Sequence, residues 1–384
     1  MTENVTKWAG RGIAVAQMGA GLGRDVVDVV ERMQGSIARR PFLLGSIPQQ
    51  QTGGIARMIY RCIEKGFDLG HDSLRHAAEF FPQDNDPNWA AKRAIMNGVF
   101  GDQLARRENR LAINMEIVTT GEPSSNSTLL LFIHGLCMSE AGWQDGSHPT
   151  QAAAIAKQLK ADTAYLRYNS GLRISENGEQ LASVLETHAE HYKRVVIIGH
   201  SMGGLLVRSA GHFAEQRSYK WPAKLKAAVM LGSPHNGAPM ERWGNYLNTI
   251  LTVSPYSSPL SRLGNLRSAG IHDLRHGNLL HTDWNSVADI MAFDDFRTPV
   301  QWHPKTAYLL VAATRSEVLP ENVLKANNDL LVTVPSAWAL EANGDDPLDS
   351  ANITREIIAG IDHMDLIWKS SVYQLTADWL KKTL

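Results

Sequence analysis

Apolar positions in the second part of the chain follow two patterns that alternate along the sequence. Between residues 111 and 118, apolar and polar residues alternate, which predicts a half-buried strand. At Leu129–Ile133 every residue is apolar, as expected of a strand covered on both faces of a parallel sheet. Further apolar runs predict strands at Thr163–Tyr168, Arg194–Ile198, Ala227–Leu231, Ala307–Ala312 and Ile357–Ala359, with helices between them. This alternation predicts the α/β class, with a mostly parallel sheet flanked by helices.

Two other stretches lack this alternation. Residues 1–108 contain helical spacing, for example along one face of 55–67 and again over 90–104, and we interpret them as an N-terminal helical extension. The α/β domain then covers 109–384. Within it, 240–305 has no strand pattern but many apolar and aromatic residues, and a structureless loop of that length is uncommon. We therefore predict a helical cap over 240–305.

Composition and charge narrow the class of function. The 384 residues are 43% hydrophobic and 20% charged, which is enough to bury a large core. The net charge is −1 and no run is rich in Lys or Arg, which argues against nucleic acid as a partner. No apolar run is long enough for a transmembrane segment. Two cysteines, Cys62 and Cys137, are too few for a disulfide framework.

The N-terminus only partly matches a secretory signal. Lys7 and Arg11 precede an apolar stretch, but Gln17 and several glycines interrupt it, so we expect a helix of small residues and a cytoplasmic location. Phosphate-binding loops and cysteine-rich zinc motifs are absent from the sequence, and His272 and His276 lack a third ligand nearby. We therefore expect no cofactor and no metal. The sequence does not indicate the oligomeric state.

The strongest chemical signal is Gly199-His-Ser-Met-Gly203, a G-x-S-x-G segment. It directly follows an apolar strand and directly precedes a predicted helix, which is the context that a nucleophile elbow requires. The tight turn exposes the serine hydroxyl above the sheet, and the glycines let strand and helix approach closely. Ser201 is therefore the candidate nucleophile.

A serine nucleophile also needs amide donors for the charge that develops on the carbonyl oxygen. One donor is expected from Met202, the residue after the serine, and the second from the loop after an early strand. His134-Gly135 follows the Leu129–Ile133 run at that point. Leu136 N–H is the candidate second donor, with the amide of Cys137 as the alternative.

Three segments resemble the α/β-hydrolase lipases and esterases. They are Ile133-His-Gly-Leu136, Gly199-His-Ser-Met-Gly-Gly204 and Leu231-Gly-Ser-Pro-His-Asn-Gly-Ala-Pro239. The third is most similar to bacterial lipase-like proteins and to members like the GPI-inositol deacylases. The resemblance implies the α/β-hydrolase fold and a serine esterase or lipase, in which an acid and then a histidine follow the serine along the chain.

The histidine and the acid follow from location and from the same resemblance. His363 lies between the last predicted strand and the last helix, in Gly360-Ile-Asp-His-Met-Asp-Leu366, which is similar to a segment of family lipases. The segment Asn327–Ser336 resembles the family's Gly-Asp-Gly loop and implies Asp329 as the acid, although Asn328 and Leu330 replace its glycines. The alternatives for the acid are Asp345 and Asp346, with Asp349 a further candidate.

The remaining candidates line the substrate pocket: His134, His200, His235 and Trp243. Apolar cap residues predict a hydrophobic ligand, a small-molecule or lipid ester. We expect a carboxylic-ester hydrolase that works through an acyl-enzyme. A thioesterase, amidase or lipid deacylase with the same triad is the alternative, and a non-catalytic scaffold of the same fold is the less favoured one.

Overall fold

The computed structural model describes residues 16–18, 20, 87–120, 127–144, 148–239, 268–285, 297–341, 344–346 and 352–384. Their strands form one seven-stranded sheet in the order β1-β3-β2-β4-β5-β6-β7. β1 pairs antiparallel with β3, and every other neighbouring pair is parallel. The strands are β1 Glu116–Thr119, β2 Thr128–Ile133, β3 Ala161–Arg167, β4 Arg194–His200, β5 Leu225–Leu231, β6 Ala307–Thr314 and β7 Ile353–Ala359. The predicted α/β class and mostly parallel sheet are confirmed.

Helices connect most of the parallel strands. In chain order they are α1 Pro87–Arg106, α2 His148–Leu159, α3 Ile174–His188, α4 Met202–Gln216, α5 Trp221–Lys224, α6 Ala269–His276, α7 Thr282–Asn285, α8 Val334–Ala337, α9 Asp365–Trp368 and α10 Ser370–Thr383. Short 3-10 helices lie at Glu140–Gln144 and Val323–Lys325. None of the helices in the described ranges is long and apolar enough to cross a membrane.

The central strands are buried on both faces. All six residues of β2 are buried, and so are the last six of β4 and the last seven of β6. On one face, side chains such as Phe132, Ile198 and Val229 pack with α2 and α10 in one hydrophobic cluster. Because side chains alternate along a strand, the intervening residues point to the opposite face, where α3 packs on α4 and α4 packs on β4. This two-sided burial explains the unbroken apolar runs.

The first predicted strand is shorter than expected. β1 covers only Glu116–Thr119, whereas the alternating pattern predicts a strand over 111–118. The amide of Leu111 donates to the side chain of Asn109 (2.8 Å), and the amide of Ile113 donates to the side chain of Asn97 (2.9 Å). Because these side chains bind the backbone amides, residues 111–115 do not form a ladder despite their alternating pattern.

The chain divides into two compact units, Met1–Asp86 with Gln103–Ala112, and Pro87–Asp102 with Ile113–Leu384. Within the first unit, the amide of Asn109 closes the turn after the helix by donating to Leu104 O (2.9 Å). The second unit contains the whole sheet. The predicted extension over 1–108 and cap over 240–305 stay predictions. The helical pattern of 55–67, and 240–267 and 286–296 within the cap, lie outside the described residues.

Candidate active site

Ser201 forms the sharp turn between β4 and α4. Its backbone has φ +53° and ψ −120°, a conformation that is costly for a residue with a side chain. The turn is held from both sides. The Ser201 amide donates to Leu231 O of β5 (2.8 Å), and a Cβ on Gly203 would lie 2.5 Å from Ile133 O of β2. Only glycine fits at 203, because backbone atoms already occupy the space of a side chain.

His363 and Asp329 are joined twice. The His363 ring Nδ1 lies 2.7 Å from Asp329 Oδ2, and the His363 amide donates to Asp329 O (2.8 Å). The second carboxylate oxygen accepts the amides of Leu331 (3.0 Å) and Val332 (2.7 Å). Since Nδ1 donates to the carboxylate, Nε2 of His363 carries the lone pair. The structure therefore brings together a buried carboxylate and an oriented imidazole, the arrangement that a general base requires.

The structure describes two of the other acid candidates, Asp345 and Asp346, in other contacts. The Asp346 carboxylate forms an ion pair with Arg355 (2.6 Å), and the main-chain oxygen of Asp345 accepts the amide of Glu341 (2.9 Å). Asp349 lies outside the described residues. Asp329 is the carboxylate that contacts His363.

The acid loop also shows how this chain manages without the glycines of the resembling family loop. Leu330 occupies the position of the second glycine and has φ +93°, where a side chain is strained. Asn328, at the position of the first glycine, accepts the Leu330 amide on Oδ1 (2.9 Å). This local turn holds the strained residue next to Asp329.

Ser201 and His363 both lie at the carboxyl edge of the sheet. A Cβ on Gly232, the residue after Leu231, would lie 3.1 Å from the His363 ring. His200 Nε2 donates to the main-chain oxygen of His363 (3.0 Å), and the two rings are 4.7 Å apart. Within the described part of the chain, Ser201 Oγ makes no hydrogen bond. Both residues therefore contact the same short segments at this edge of the sheet, β5 with Gly232 and the neighbouring His200.

The loop after β2 packs directly against the elbow. A Cβ on Gly135 would lie 3.0 Å from the Ser201 Cβ. The Cys137 amide donates to Ser170 Oγ (3.1 Å), so the alternative oxyanion donor is already bound. Among the hydrogen bonds found between described residues, none uses the Leu136 amide. Of the two candidate second donors, Leu136 N–H is the one left available.

Two buried, uncharged histidines, His134 and His200, lie beside this loop and the elbow. His134 stacks on Tyr168 with ring centroids 4.3 Å apart, and the Tyr168 hydroxyl donates to His134 O (2.7 Å). Burial lowers the pKa of His134 to about 4. The pKa of His200 is also lowered well below its usual value, first by burial and then by the charge of His363. Both are neutral near pH 7, so neither opposes a positive charge that forms on His363.

Of the last two pocket candidates, His235 and Trp243, the structure describes only His235. His235 is buried, and its contacts in the described residues include Arg208 (Nη1 to Nδ1, 3.4 Å) and the Trp302 ring. The pKa of His235 is lowered well below its usual value, first by burial and then by the positive charge of Arg208. Trp243 lies outside the described residues.

One residue that shapes the loop after β2 was not found from the sequence. Ser170, which binds the Cys137 amide, follows β3 without any motif, and no sequence signal indicates its role.

The acidic residues beside His363 build a turn. Asp362 Oδ1 accepts the amides of Met364 (2.9 Å) and Asp365 (3.0 Å), and Asp365 Oδ2 accepts the amide of Asp362 (3.2 Å). These bonds fix the backbone that carries His363. In the described ranges, no group of three or more His, Cys, Asp or Glu side chains is placed to hold a metal ion.

Comparison with known proteins agrees with this architecture. Residues 125–311 match the family described as "PGAP1-like alpha/beta domain". That range contains β2 to β5, the elbow and the loop after β2. The chain has the α/β-hydrolase fold. The predicted resemblance to α/β hydrolases is confirmed. Asp329 and His363 lie beyond the matched range.

Several solved structures are similar to this hydrolase-fold chain. The mature lipase BlEst2 of Bacillus licheniformis is 18% identical, with a TM-score of 0.45, and the match covers 71% of this chain and 98% of that one. Mouse alpha/beta hydrolase domain-containing protein 10 is 14% identical, with a TM-score of 0.41 and coverages of 70% and 93%. The type II thioesterase BorB from the borrelidin biosynthetic cluster is 16% identical, with a TM-score of 0.43 and coverages of 69% and 96%. No curated protein shows significant similarity.

Proposed function

We propose that this chain is a serine hydrolase that cleaves carboxylic esters through an acyl-enzyme. The observation that carries the proposal is the buried Asp329–His363 pair (2.7 Å) held beside the strained Ser201 elbow. The family match over 125–311 supports a hydrolase, and the choice of an ester bond is the finer part of the proposal.

Each residue has one task in the proposed reaction. His363 Nε2 accepts the Ser201 proton as Oγ attacks the ester carbonyl, and then donates it to the leaving alcohol. Asp329 holds the ring in the required tautomer and stabilises the imidazolium. The amides of Leu136 and Met202 donate to the oxygen that becomes negative. Water activated by His363 then hydrolyses the acyl-enzyme and releases the acid.

Thioesters, amides and lipid acyl groups fit the same catalytic steps, and they stay as alternatives. The preference for hydrophobic esters depends on the apolar and aromatic residues of 240–305 in the sequence. A non-catalytic scaffold is disfavoured, because it gains nothing from a strained backbone at Ser201.

Labelling with a fluorophosphonate probe tests the nucleophile. We expect labelling of the wild type and of Ser209→Ala, a second buried serine on α4, but none of Ser201→Ala. A series of p-nitrophenyl esters of increasing acyl length, with matched thioesters, then tests the bond. Labelling that survives Ser201→Ala would refute the assignment of the serine. Labelling without turnover of any oxygen ester would refute the ester hydrolase.

A further inference from the structure

Two short loops lie side by side at the carboxyl edge of the sheet, one after β2 and one after β3. The first, residues 134–137, contains Leu136, whose amide is the candidate second donor to the oxyanion. The second, residues 168–171, has no task in the proposed reaction. Because β2 and β3 are neighbouring parallel strands, both loops leave the sheet at the same edge. The loop after β3 is therefore placed to support the loop after β2.

The loop after β3 binds the loop after β2 at both of its ends. The Tyr168 hydroxyl donates to His134 O (2.7 Å), and Ser170 Oγ accepts the Cys137 amide (3.1 Å). The Tyr168 ring also stacks on the His134 ring, with centroids 4.3 Å apart. Burial raises the pKa of Tyr168, so its hydroxyl stays protonated and remains a donor. Leu136 therefore lies on a short loop that is anchored at its first and last residue.

The peptide between Gly135 and Leu136 is held as well. Gly135 O accepts hydrogen bonds from His134 Nδ1 (2.9 Å) and from the Met138 amide (3.4 Å). In a planar trans peptide the carbonyl and the following N–H point in opposite directions, so the direction of Gly135 C=O decides where Leu136 N–H points. Because Tyr168 stacks on the His134 ring, it supports the side chain that fixes this carbonyl.

The loop after β2 needs support because its backbone is strained. Cys137 has φ +62°, a region that is unfavourable for a residue with a side chain. A residue keeps such a conformation only where its surroundings hold it. Here the side chain packs closely on Gly98 of α1, and the amide is bound by Ser170. The bond to Ser170 therefore helps to keep the residue after Leu136 in its strained conformation.

The loop after β3 is itself fixed by hydrogen bonds to two helices. The buried Asn169 side chain donates to Gly101 O of α1 (2.9 Å) and accepts the Gly171 amide (3.0 Å). Asn177 of α3 donates from Nδ2 to Asn169 O (2.9 Å). Donors to an oxyanion are effective when they are preorganised, and a support that is bound in this way can preorganise its neighbour.

We propose that Tyr168 and Ser170 are positioning residues, which hold the Leu136 amide in the direction that the oxyanion needs. This role rests on the proposed ester hydrolysis, in which neither side chain donates to the oxyanion itself. The amide contributes when the carbonyl oxygen becomes negative, so an error in its direction raises the energy of the transition state and has little effect on the bound substrate. The two residues therefore act on kcat and not on KM.

Steady-state kinetics of Tyr168→Phe and Ser170→Ala test the proposal with a p-nitrophenyl ester. Each variant should lose about 10- to 100-fold in kcat with KM nearly unchanged, less than the roughly 10²–10³-fold effect of removing an oxyanion donor outright. A trifluoromethyl ketone provides a second measurement. Ser201 Oγ adds to the ketone carbon, its proton moves to His363, and the ketone oxygen becomes negative. The affinity for this inhibitor should therefore fall by the same factor as kcat/KM.

Ser209→Ala and Tyr308→Phe are the matched controls, because each removes a buried hydroxyl that is hydrogen-bonded elsewhere. Ser209 Oγ donates to Leu279 O (2.7 Å), and the Tyr308 hydroxyl accepts the His303 amide (3.2 Å). These variants should lower the unfolding midpoint about as much as the test variants do and leave kcat unchanged. Equal losses of kcat in test and control variants would overturn the proposal, because they would reflect stability alone.

Hydrogen exchange measures the support of the loop without any turnover. Segment 134–138 should exchange faster in Tyr168→Phe and Ser170→Ala than in the wild type, and at the wild-type rate in the two controls. Unchanged exchange in the test variants would overturn the proposal, and so would a wild-type kcat in both of them. A wild type that hydrolyses no ester would instead refute the proposed function, and the exchange of 134–138 would still decide whether Tyr168 and Ser170 hold the loop.

Discussion

The elbow and the acid loop both place a residue with a side chain at positive φ, yet they are held in different ways. Ser201 is fixed by its surroundings, through a hydrogen bond to β5 and backbone packing of Gly203 against β2. Leu330 is fixed by its own loop, through Asn328 and through the amides that Asp329 binds. The elbow is therefore sensitive to changes in the core, whereas the acid loop is sensitive to changes in its own few residues.

The largest effect is expected from Asp329→Asn in the acid loop. An amide at this position places the wrong partner on His363 Nδ1 and favours the wrong tautomer, so kcat should fall about 10⁴-fold. The protein should still fold, because Asn also accepts the two loop amides. Steady-state kinetics with a p-nitrophenyl ester measure the loss. Asp346→Asn, which breaks an ion pair with Arg355, is the control and should change kcat little. Equal losses in both variants would reject Asp329 as the acid.

The second effect concerns His134, in the loop that packs against the elbow, and the pH dependence of the free energy of unfolding. The pKa of His134 is about 4 in the folded protein and near 6.5 in the unfolded chain. Between these values the unfolded chain binds a proton that the folded protein does not, so stability falls as pH drops from 6.5 to 4. The loss reaches about 3 kcal/mol for this one group. Denaturant unfolding across that range should show a shallower loss for His134→Gln. An identical slope in the variant would mean that His134 is not the buried neutral group described.

The third effect tests whether packing holds the elbow. Gly203→Ala introduces a Cβ 2.5 Å from Ile133 O, and the resulting shift should lower the free energy of unfolding by about 1–3 kcal/mol. Gly211→Ala is the matched control on the same helix, because its Cβ meets nothing within 4 Å. It should raise stability by about 0.5–1 kcal/mol. Chemical denaturation compares the two. A stabilising Gly203→Ala would contradict the close approach.

The smallest effect tests the strain in the acid loop. Leu330→Gly relieves a positive φ in an about half-exposed residue, and the free energy of unfolding should rise by up to about 1 kcal/mol. Asn328→Ala removes the hydrogen bond to the Leu330 amide and should lower it by about 0.5–1.5 kcal/mol. If the two variants shift stability in the same direction, the loop is not held by this turn.

Much of the fold was predictable, because a strand buried on both faces has an unbroken apolar sequence. The apolar runs at 129–133 and 194–198 became β2 and β4, and the G-x-S-x-G segment fell at the turn that follows β4. Pattern alone failed where polar groups compete with it. Asn97 and Asn109 bind amides of 111–115 and shorten β1. Arg355 and Glu356 interrupt the apolar pattern of β7. This is tolerated because β7 has a neighbouring strand on one side only among the described residues.

For the candidate site, the sequence indicated only those residues that lie in a recognisable motif. The place of Ser201 in the turn after β4 followed from local context, and Asp329 contacts His363, as the resemblance implies for its proposed role. The sequence could not separate Leu136 from Cys137, because the difference between them depends on Ser170, a residue 33 positions away that binds the Cys137 amide.

Ser201 is buried, only 2% exposed, so the exposed hydroxyl expected from the sequence is not what the structure has. A reagent cannot reach the hydroxyl by collision alone, so neighbouring residues must first move aside, and inactivation proceeds as opening followed by chemistry. As the reagent concentration rises, the observed rate then levels off at the opening rate, whatever the intrinsic reactivity of the reagent. In the proposed reaction, this opening step would limit turnover before the strength of the nucleophile does.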